Sequence, residues 1–247
     1  AAEDTRTLRH LMEIHGIALG DRPLVAYHDH NGETARPRLL RALGEGKSVA
    51  YASEAGTPLV ADPGFQLGRA AIAEGFTVTS APGPSAVLAA LTVSGLPSDR
   101  FLFLGFPPST KGARLTWLRD WMAVDATLIL FESPRRVNQT LREMCEVDAN
   151  RPTVVARELT KKFEEVIRGT AAELAQDPRM ATLKGEVVML VNRPGAVVAD
   201  EDAVRRALQA RLGAMTVKDA VREVAAELDM ARRDVYQIAL GMAEDRN

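Results

Sequence analysis

The sequence has little cysteine, few aromatic residues and no long apolar run. One cysteine, Cys145, occurs among 247 residues, and aromatic residues make up 5% of the chain. A single thiol cannot form an internal disulfide, so the sequence does not require an oxidising compartment. The most apolar stretch, residues 86–96, is shorter than the roughly 20 residues that span a bilayer. The sequence therefore predicts a cytoplasmic globular protein that makes no membrane contact.

Neither sign of charge is in excess. The 31 Lys and Arg residues are balanced by 33 Asp and Glu residues, which gives a formal net charge of −2 at pH 7. A chain with this balance has no general attraction for a polyanion. Any contact with a nucleic acid must therefore come from local clusters of basic residues.

The motifs of nucleotide and metal sites are missing. No G-x-G-x-x-G sequence occurs, so a standard dinucleotide-binding fold is not indicated. The run 44–48 ends in Gly-Lys-Ser, but Arg41 stands where a P-loop requires its first glycine. His28 and His30 have the alternate spacing that puts strand residues on one face, yet this spacing fixes no third ligand. We therefore expect no metal.

Strand and helix patterns alternate along most of the chain. Predicted strands cover residues 24–27, 48–52, 76–80, 101–104, 127–131, 153–158, 165–169 and 186–192. Alternation with helices favours a parallel sheet in the first half, and a hairpin favours a mixed sheet in the second. The predicted fold class is α/β. Its parts are an N-terminal α/β domain at 1–98, a second α/β domain with a mixed sheet at 99–195, and a small helical domain at 199–247.

Three loops that follow predicted strands have the composition of a binding site. The first two, residues 53–64 and 81–86, contain glycines that let backbone amides approach a ligand closely. The third, residues 131–136, combines an acid, a hydroxyl and two arginines. Ligands of open α/β sheets bind beyond the carboxyl ends of the strands, so we expect these loops to line a pocket. Asp62 and Pro63 are also typical of a helix start.

Short motifs follow one another in order along nearly the whole chain. They lie at residues 3–6, 28–31, 53–58, 62–64, 82–85, 95–101, 131–134, 156–161 and 185–186. Together they resemble the ribosomal RNA small subunit methyltransferase I family of the tetrapyrrole methylase superfamily. Members of that family carry a further strand and a Gly-Asn-Leu loop ahead of the motif at 3–6. We therefore expect a further segment to precede this chain.

The resemblance implies a homodimer that binds S-adenosylmethionine in a cleft between two α/β domains. The implied reaction is 2′-O-methylation of a cytidine in the decoding centre of 16S ribosomal RNA. The residues that the resemblance assigns to the cofactor site are Glu54, Ala55, Gly56, Thr57, Pro58, Gly83, Ser85, Ala86, Phe131, Glu132, Ser133, Gly185 and Glu186.

The implied reaction needs help for a weak nucleophile. A ribose hydroxyl reacts slowly at neutral pH unless a general base takes its proton or a cation lowers its pKa. Glu132 and Lys161 are the catalytic candidates. Alternatively, Glu132 binds donor groups of the cofactor and Lys161 lies on a solvated hairpin.

Local basic clusters supply the candidate RNA contacts. They are Lys111, Arg114, Arg135, Arg136, Arg157, Lys162, Lys218, Arg232 and Arg233. The C-terminal helices bind RNA or, equally, support a dimer, and no DNA contact is expected. Two other functions stay open, namely a methylase of a small tetrapyrrole and a non-catalytic RNA-binding protein that keeps the fold.

Overall fold

A computed structural model describes residues 1–61, 64–194, 201–212, 215–228 and 232–244, with backbone alone at 201–203, 234, 243 and 244. The chain divides into two compact units, Ala1–Val93 and Ser94–Asn247. Asp62 and Pro63, which the sequence placed at a helix start, lie outside the described residues. No helix among the described residues is long and apolar enough to cross a membrane.

The first unit contains four helices and isolated parallel bridges, and its last helix ends at Ser94, the first residue of the second unit. The helices are α1 (Thr5–Ile14), α2 (Gly32–Gly44), α3 (Phe65–Ala73) and α4 (Ala86–Ser94). Ala2 makes isolated parallel bridges to Ala26 and Ala52. The segments predicted as strands at 24–27 and 48–52 therefore keep a parallel direction, but each forms only one bridge residue and no strand. Residues 77–80 are exposed and pair with no strand, so the strand predicted at 76–80 does not form.

Local chemistry explains two helix starts in this unit. The carboxylate of Asp4 accepts hydrogen bonds from the backbone amides of Arg6 and Thr7, at 2.7 and 3.4 Å, and so caps α1. Gly64 precedes α3 with φ of 113°. A Cβ at Gly64 would lie 2.8 Å from Cε1 of Tyr51, so only glycine fits there.

A five-stranded mixed sheet organises the second unit, as the sequence predicted. Its strands are β1 (Phe101–Phe103), β2 (Thr127–Glu132), β3 (Pro152–Arg157), β4 (Glu165–Thr170) and β5 (Val187–Val191). The order is β1-β2-β5-β3-β4, in which only β1 and β2 are parallel. The flanking helices are α5 (Lys111–Met122), α6 (Val137–Asp148), α7 (Ala171–Gln176) and the 3₁₀ turn Pro178–Ala181.

The register of this sheet brings distant motifs to one edge. Val187 lies opposite Glu132 of β2 on one side and opposite Arg157 of β3 on the other. Because β5 runs antiparallel to both neighbours, its start meets their ends. All five residues of β5 are buried, which anchors this edge in the core.

Three C-terminal helices pack around a core of their own. They are α8 (Glu201–Arg211), α9 (Val217–Glu227) and α10 (Arg232–Glu244). Val204, Leu208, Val224 and Val235 are completely buried in that core. Thr216 caps α9 by accepting a hydrogen bond from the amide of Asp219 at 3.2 Å. The predicted helical character of this region is confirmed.

Candidate active site

The two glycine-containing loops of the first unit lie side by side. The hydroxyl of Thr57 donates a hydrogen bond to the carbonyl oxygen of Pro84, 2.8 Å away. Gly56 has φ of 72°, and nothing lies within 4 Å of the position that a Cβ would take. The closest atom to a Cβ at Gly83 is 3.9 Å away. Backbone on this face is therefore open to a ligand.

The rest of the first loop is fixed by the start of the chain and by its own backbone. The carboxylate of Glu54 accepts a hydrogen bond from the hydroxyl of Thr7 at 2.9 Å. Leu59 and Ala61 adopt left-handed φ values of 71° and 54°. Non-glycine residues in that region are strained, and such strain clusters at binding sites. Ala55 is exposed and Pro58 is half-buried between these points.

The second loop leads directly into a helix. Ser85 Oγ accepts a hydrogen bond from the amide of Leu88 at 3.5 Å, in the position of a helix cap. Ala86 is the first residue of α4. The free backbone amides at the start of a helix favour the binding of an anionic group.

An aromatic cluster marks the sheet edge of the second unit. The ring of Phe131 lies 4.8 Å from that of Phe103 and 5.7 Å from that of Phe106, between centroids. Phe106 is 57% exposed, which is unusual for so large an apolar side chain. An exposed aromatic face at a strand end suits a flat heterocycle.

Glu132 is held by neighbours rather than presented to a substrate. Its carboxylate accepts hydrogen bonds from the amide of Ser133 at 2.7 Å, from Arg136 Nε at 2.8 Å and from the hydroxyl of Thr140 at 2.8 Å. The residue is 2% exposed. A carboxylate with both oxygens engaged is a poor acceptor for a substrate proton. The geometry therefore corrects the assignment of Glu132 as a general base and favours a role in positioning the loop.

Lys161 lies between two carboxylates at the same edge. Its Nζ donates to Glu186 Oε2 at 2.8 Å and to Glu158 Oε1 at 3.1 Å. The side chain keeps 44% of its surface exposed. Hydrogen bonds to Glu186 and Glu158 raise the pKa of Lys161, so it is a cation at neutral pH and cannot act as a base.

Gly185 makes this arrangement possible. Glu158 Oε1 also accepts a hydrogen bond from the amide of Glu186 at 3.0 Å, which brings its side chain over Gly185. A Cβ at Gly185 would lie 2.6 Å from Cγ of Glu158. The Glu186 amide and Lys161 together lower the pKa of Glu158.

The hairpin that carries Lys161 is strained. Glu158 and Thr160 have left-handed φ values of 48° and 66°. Among the described residues outside glycine, positive φ occurs only here and at the two strained positions of the first loop. Glu158 and Thr160 belong to the motif at 156–161, and Leu59 and Ala61 lie between the motifs at 53–58 and 62–64, which supports a functional reason for the strain.

The structure sorts the basic candidates by availability. Arg114 is 1% exposed, and its guanidinium donates to Glu143 at 2.6 and 2.8 Å and to two backbone carbonyls. It cannot reach a phosphate, so its assignment as an RNA contact is wrong. Lys111 pairs with Glu146 at 3.3 Å on the surface.

The remaining candidates of the sheet region differ in the same way. Arg136 is bound to Glu132, and Arg157 NH1 lies 3.5 Å from Glu165. Arg135 is exposed, and Lys162 lies 5.6 Å above the ring centroid of Phe163. Arg135 and Lys162 are therefore the cations of this region best placed to meet an RNA.

The other three candidates lie in the C-terminal helices, at one groove of about 400 Å³ between α9 and α10. The groove is lined by Lys218, Val221, Arg222, Arg232, Arg233 and Tyr236. We call it the helical groove.

The two histidines do not form a metal site with the described residues. The rings of His28 and His30 meet edge to face at 6.0 Å, and no group of three or more potential ligands occurs in the described part of the chain. His28 Nδ1 is buried without a described hydrogen-bond partner.

Sequence reasoning missed Glu158 and Thr140. Both act through contacts with residues 28 and 8 positions away, respectively. The only signal for Glu158 was its place within the motif at 156–161, next to Lys161.

Comparison with known proteins agrees with this fold. The family of Tetrapyrrole (Corrin/Porphyrin) Methylases matches residues 4–175, and the RsmI C-terminal HTH domain matches residues 198–243. Two solved structures share the fold at low identity. The methyltransferase CobJ is 21% identical with a TM-score of 0.53, covering 76% of this chain and 86% of its own. Diphthine synthase is 19% identical with a TM-score of 0.55, covering 80% and 78%.

Curated relatives are much more similar. The ribosomal RNA small subunit methyltransferase I of Mesorhizobium japonicum is 46% identical over 99% of this chain and 83% of its own length. The protein of the same name from Halalkalibacterium halodurans is 40% identical over 96% of this chain and 84% of its own. The chain therefore belongs to the ribosomal RNA small subunit methyltransferase I family, within the tetrapyrrole methylases.

Proposed function

We propose that this protein transfers a methyl group from S-adenosylmethionine to a ribose 2′-hydroxyl of small-subunit ribosomal RNA. The relatives named for that RNA support the substrate class. The observation that carries the chemistry is the strained hairpin, which holds the Lys161 cation at the edge shared by residues 131–133 and 185–186.

The residues present fit S-adenosylmethionine. In the first unit, the open backbone at Gly56 and Gly83 and the helix start at Ser85 and Ala86 offer amide donors for a carboxylate or ribose. In the second unit, the aromatic cluster at Phe131 offers a face for an adenine ring. When bound, the cofactor supplies a methyl group activated by a sulfonium. The full proposed cofactor set is Glu54, Ala55, Gly56, Thr57, Pro58, Gly83, Ser85, Ala86, Phe131, Ser133, Gly185 and Glu186, with Glu132 positioning Ser133.

Lys161 supports the reaction as a cation. An ammonium group has three donors, and two of those of Lys161 serve Glu186 and Glu158. The third is available to the 2′-oxygen, where it stabilises negative charge as the proton leaves for solvent. S-adenosylmethionine, held by the proposed cofactor set, would supply the methyl group that this oxygen accepts. Holding the hydroxyl in line for that attack is the larger part of the catalysis.

Methyl transfer from labelled S-adenosylmethionine tests this proposal. We expect label in small ribosomal subunits and none in uroporphyrinogen or precorrin substrates. Lys161→Met is expected to lower kcat by about 100-fold, within the range of an electrostatic catalyst, while Lys161→Arg keeps part of the activity. Label in the tetrapyrrole alone, or RNA binding with no transfer, would establish one of the alternative functions instead.

Finer features of the proposal need separate measurements. We propose a cytidine of the decoding centre as the acceptor, a homodimer as the active form, and the cytoplasm as its location. Mapping 2′-O-methyl groups on the product RNA checks the nucleotide, and light scattering checks the dimer. The division into domains at 1–98, 99–195 and 199–247 is also a proposal, which limited proteolysis tests.

A further inference from the structure

We propose that the helical groove binds a single-stranded segment of the RNA substrate, at a site distinct from the nucleotide that is methylated. This inference rests on the proposed function for the identity of the RNA. Beyond that function, it assigns the residues of the helical groove as a docking site and single-stranded RNA as the form that is bound.

Charge is the first argument. Four of the six residues that line the groove are cations, Lys218, Arg222, Arg232 and Arg233. Among these, only Arg222 has a described ion pair, with Asp219 at 3.0 Å. The groove is thus strongly positive in a chain whose net charge is −2. Such a local concentration of cations is what attracts the phosphates of a nucleic acid.

Two nearby acidic residues of α9 pair with an arginine outside the groove. Glu223 lies within 3.4 Å of Arg211, and Glu227 forms an ion pair with the same guanidinium. Neither carboxylate lines the groove. Among the described side chains of the groove, Lys218, Arg232 and Arg233 therefore have no described ion pair, while Arg222 is paired with Asp219.

Tyr236 indicates which form of RNA is bound. Tyr236 is 45% exposed and lines the groove together with the buried residue Val221. An exposed aromatic residue in a groove lined by cations is the usual platform for stacking an unpaired base. A base within a duplex offers no free face, so the groove favours a single strand.

The test uses the full chain and a fluorescent single-stranded oligonucleotide copied from small-subunit ribosomal RNA. Removing three cations, with Lys218→Gln, Arg232→Gln and Arg233→Gln together, is expected to weaken binding by at least tenfold. The slope of log affinity against log salt is expected to fall by about 2, from roughly 0.7 per lost phosphate contact. Tyr236→Ala is expected to weaken binding about tenfold, whereas Tyr236→Phe retains the stacking ring and the affinity.

A matched variant keeps the result specific. It removes three exposed arginines outside the groove, Arg38, Arg69 and Arg119, and is expected to bind RNA nearly as the parent does. The variant with Lys218→Arg, Arg232→Lys and Arg233→Lys keeps the charge and is expected to keep binding. Circular dichroism confirms that each protein is folded.

The outcomes separate this inference from the proposed function. It is supported if the groove variants raise KM for small subunits while affinity for S-adenosylmethionine is unchanged. It is overturned if groove and matched variants bind the oligonucleotide equally, if duplex RNA binds more tightly than single strands, or if poly-glutamate displaces the RNA at equal charge. Methyl transfer to ribosomal RNA would stand in each of those cases.

Discussion

The hydroxyl of Thr57 and the carbonyl oxygen of Pro84, 2.8 Å apart, connect two loops that are 27 residues apart in the sequence. Each loop follows a segment of the first unit and leaves a glycine open to a ligand. This hydrogen bond holds the two open backbones in one arrangement. It can be removed by replacing the hydroxyl of Thr57 with a methyl group.

Thr57→Val is expected to weaken S-adenosylmethionine binding about fivefold. The valine keeps the volume but loses the hydrogen bond, which contributes about 1 kcal/mol. Titration calorimetry measures the affinity, and Thr57→Ser, which retains the hydroxyl, should bind like the parent. Equal affinity for Thr57→Val and the parent would show that the bond does not organise the cofactor loops.

Gly185→Ala is expected to destabilise the protein more than Gly46→Ala does. Both glycines have left-handed φ, at 84° and 79°, so each alanine costs about 1 kcal/mol of backbone strain. Only the alanine at 185 collides with Glu158, since nothing lies within 4 Å of a Cβ at 46. Denaturant unfolding measures both variants, and methyl transfer should fall only for Gly185→Ala.

A second change checks the cause of that difference. Adding Glu158→Ala to Gly185→Ala removes the side chain that is struck. Stability should then return toward that of Gly46→Ala, while activity stays low because Lys161 has lost one partner. No recovery of stability would mean that the collision is not the reason.

Arg114→Met is expected to lower the free energy of unfolding by about 3–5 kcal/mol. The change leaves the buried carboxylate of Glu143 with the hydrogen bond from Gln139 but without a cation, and removing one side of a buried ion pair is costly. Adding Glu143→Leu should recover most of the loss because no charge is then left buried. RNA affinity of the folded Arg114→Met protein should be unchanged.

Arg135→Gln is the comparison for that result. Arg135 is exposed in the loop that leads into α6. Its loss should change stability by less than about 0.5 kcal/mol while weakening RNA binding. A larger loss of RNA binding for Arg114→Met than for Arg135→Gln would show that Arg114 does contact the RNA.

Methyl transfer should show no loss of rate from deprotonation of Lys161 between pH 6 and 9. The carboxylates of Glu186 and Glu158 raise its pKa, so its contribution to stability is complete below the ordinary lysine pKa and is lost as pH rises through the folded value. That window lies above about pH 10. A pH–rate profile of the parent and Lys161→Arg tests this, and a break near pH 7.5 that Lys161→Arg abolishes would contradict it.

The stability that Glu158 contributes changes with pH in the opposite direction. Its pKa is lowered by the Glu186 amide and Lys161, so its contribution is present above the ordinary glutamate pKa and is lost as pH falls through the folded value. Lowering the pH below the ordinary glutamate pKa of about 4.3 should therefore loosen the hairpin, and the hairpin should stay intact between that pH and neutrality. Hydrogen exchange at Thr160 reports that opening.

Much of the second sheet was predictable because its strands are rich in apolar and β-branched residues and lie between polar turns. The predicted strands at 127–131, 153–158 and 165–169 agree with β2, β3 and β4 to within one residue at each end. The strand predicted at 76–80 had the same local character, but its residues are exposed and meet no partner. The pattern of apolar residues in a segment does not predict whether a neighbouring strand is present to pair with it.

The candidate site was predicted in part. The glycine-containing loops and the Lys161 hairpin were visible as motifs, because backbone with positive φ restricts which residues can occupy a position. The burial of Arg114 and the engagement of Glu132 were not visible, since an arginine or a glutamate reads alike whether it meets solvent or a partner 29 or 8 residues away.

The order of residues alone determined the α/β class, the mixed second sheet, the helical C-terminal region and the family, because these depend on periodicity and on motifs that are local in sequence. Tertiary structure decided which charged groups are free. Glu158 over Gly185, Arg114 on Glu143 and the cations of the helical groove are all matters of which segments pack together. Electrostatic energies fall with distance in space, and only the folded chain sets those distances.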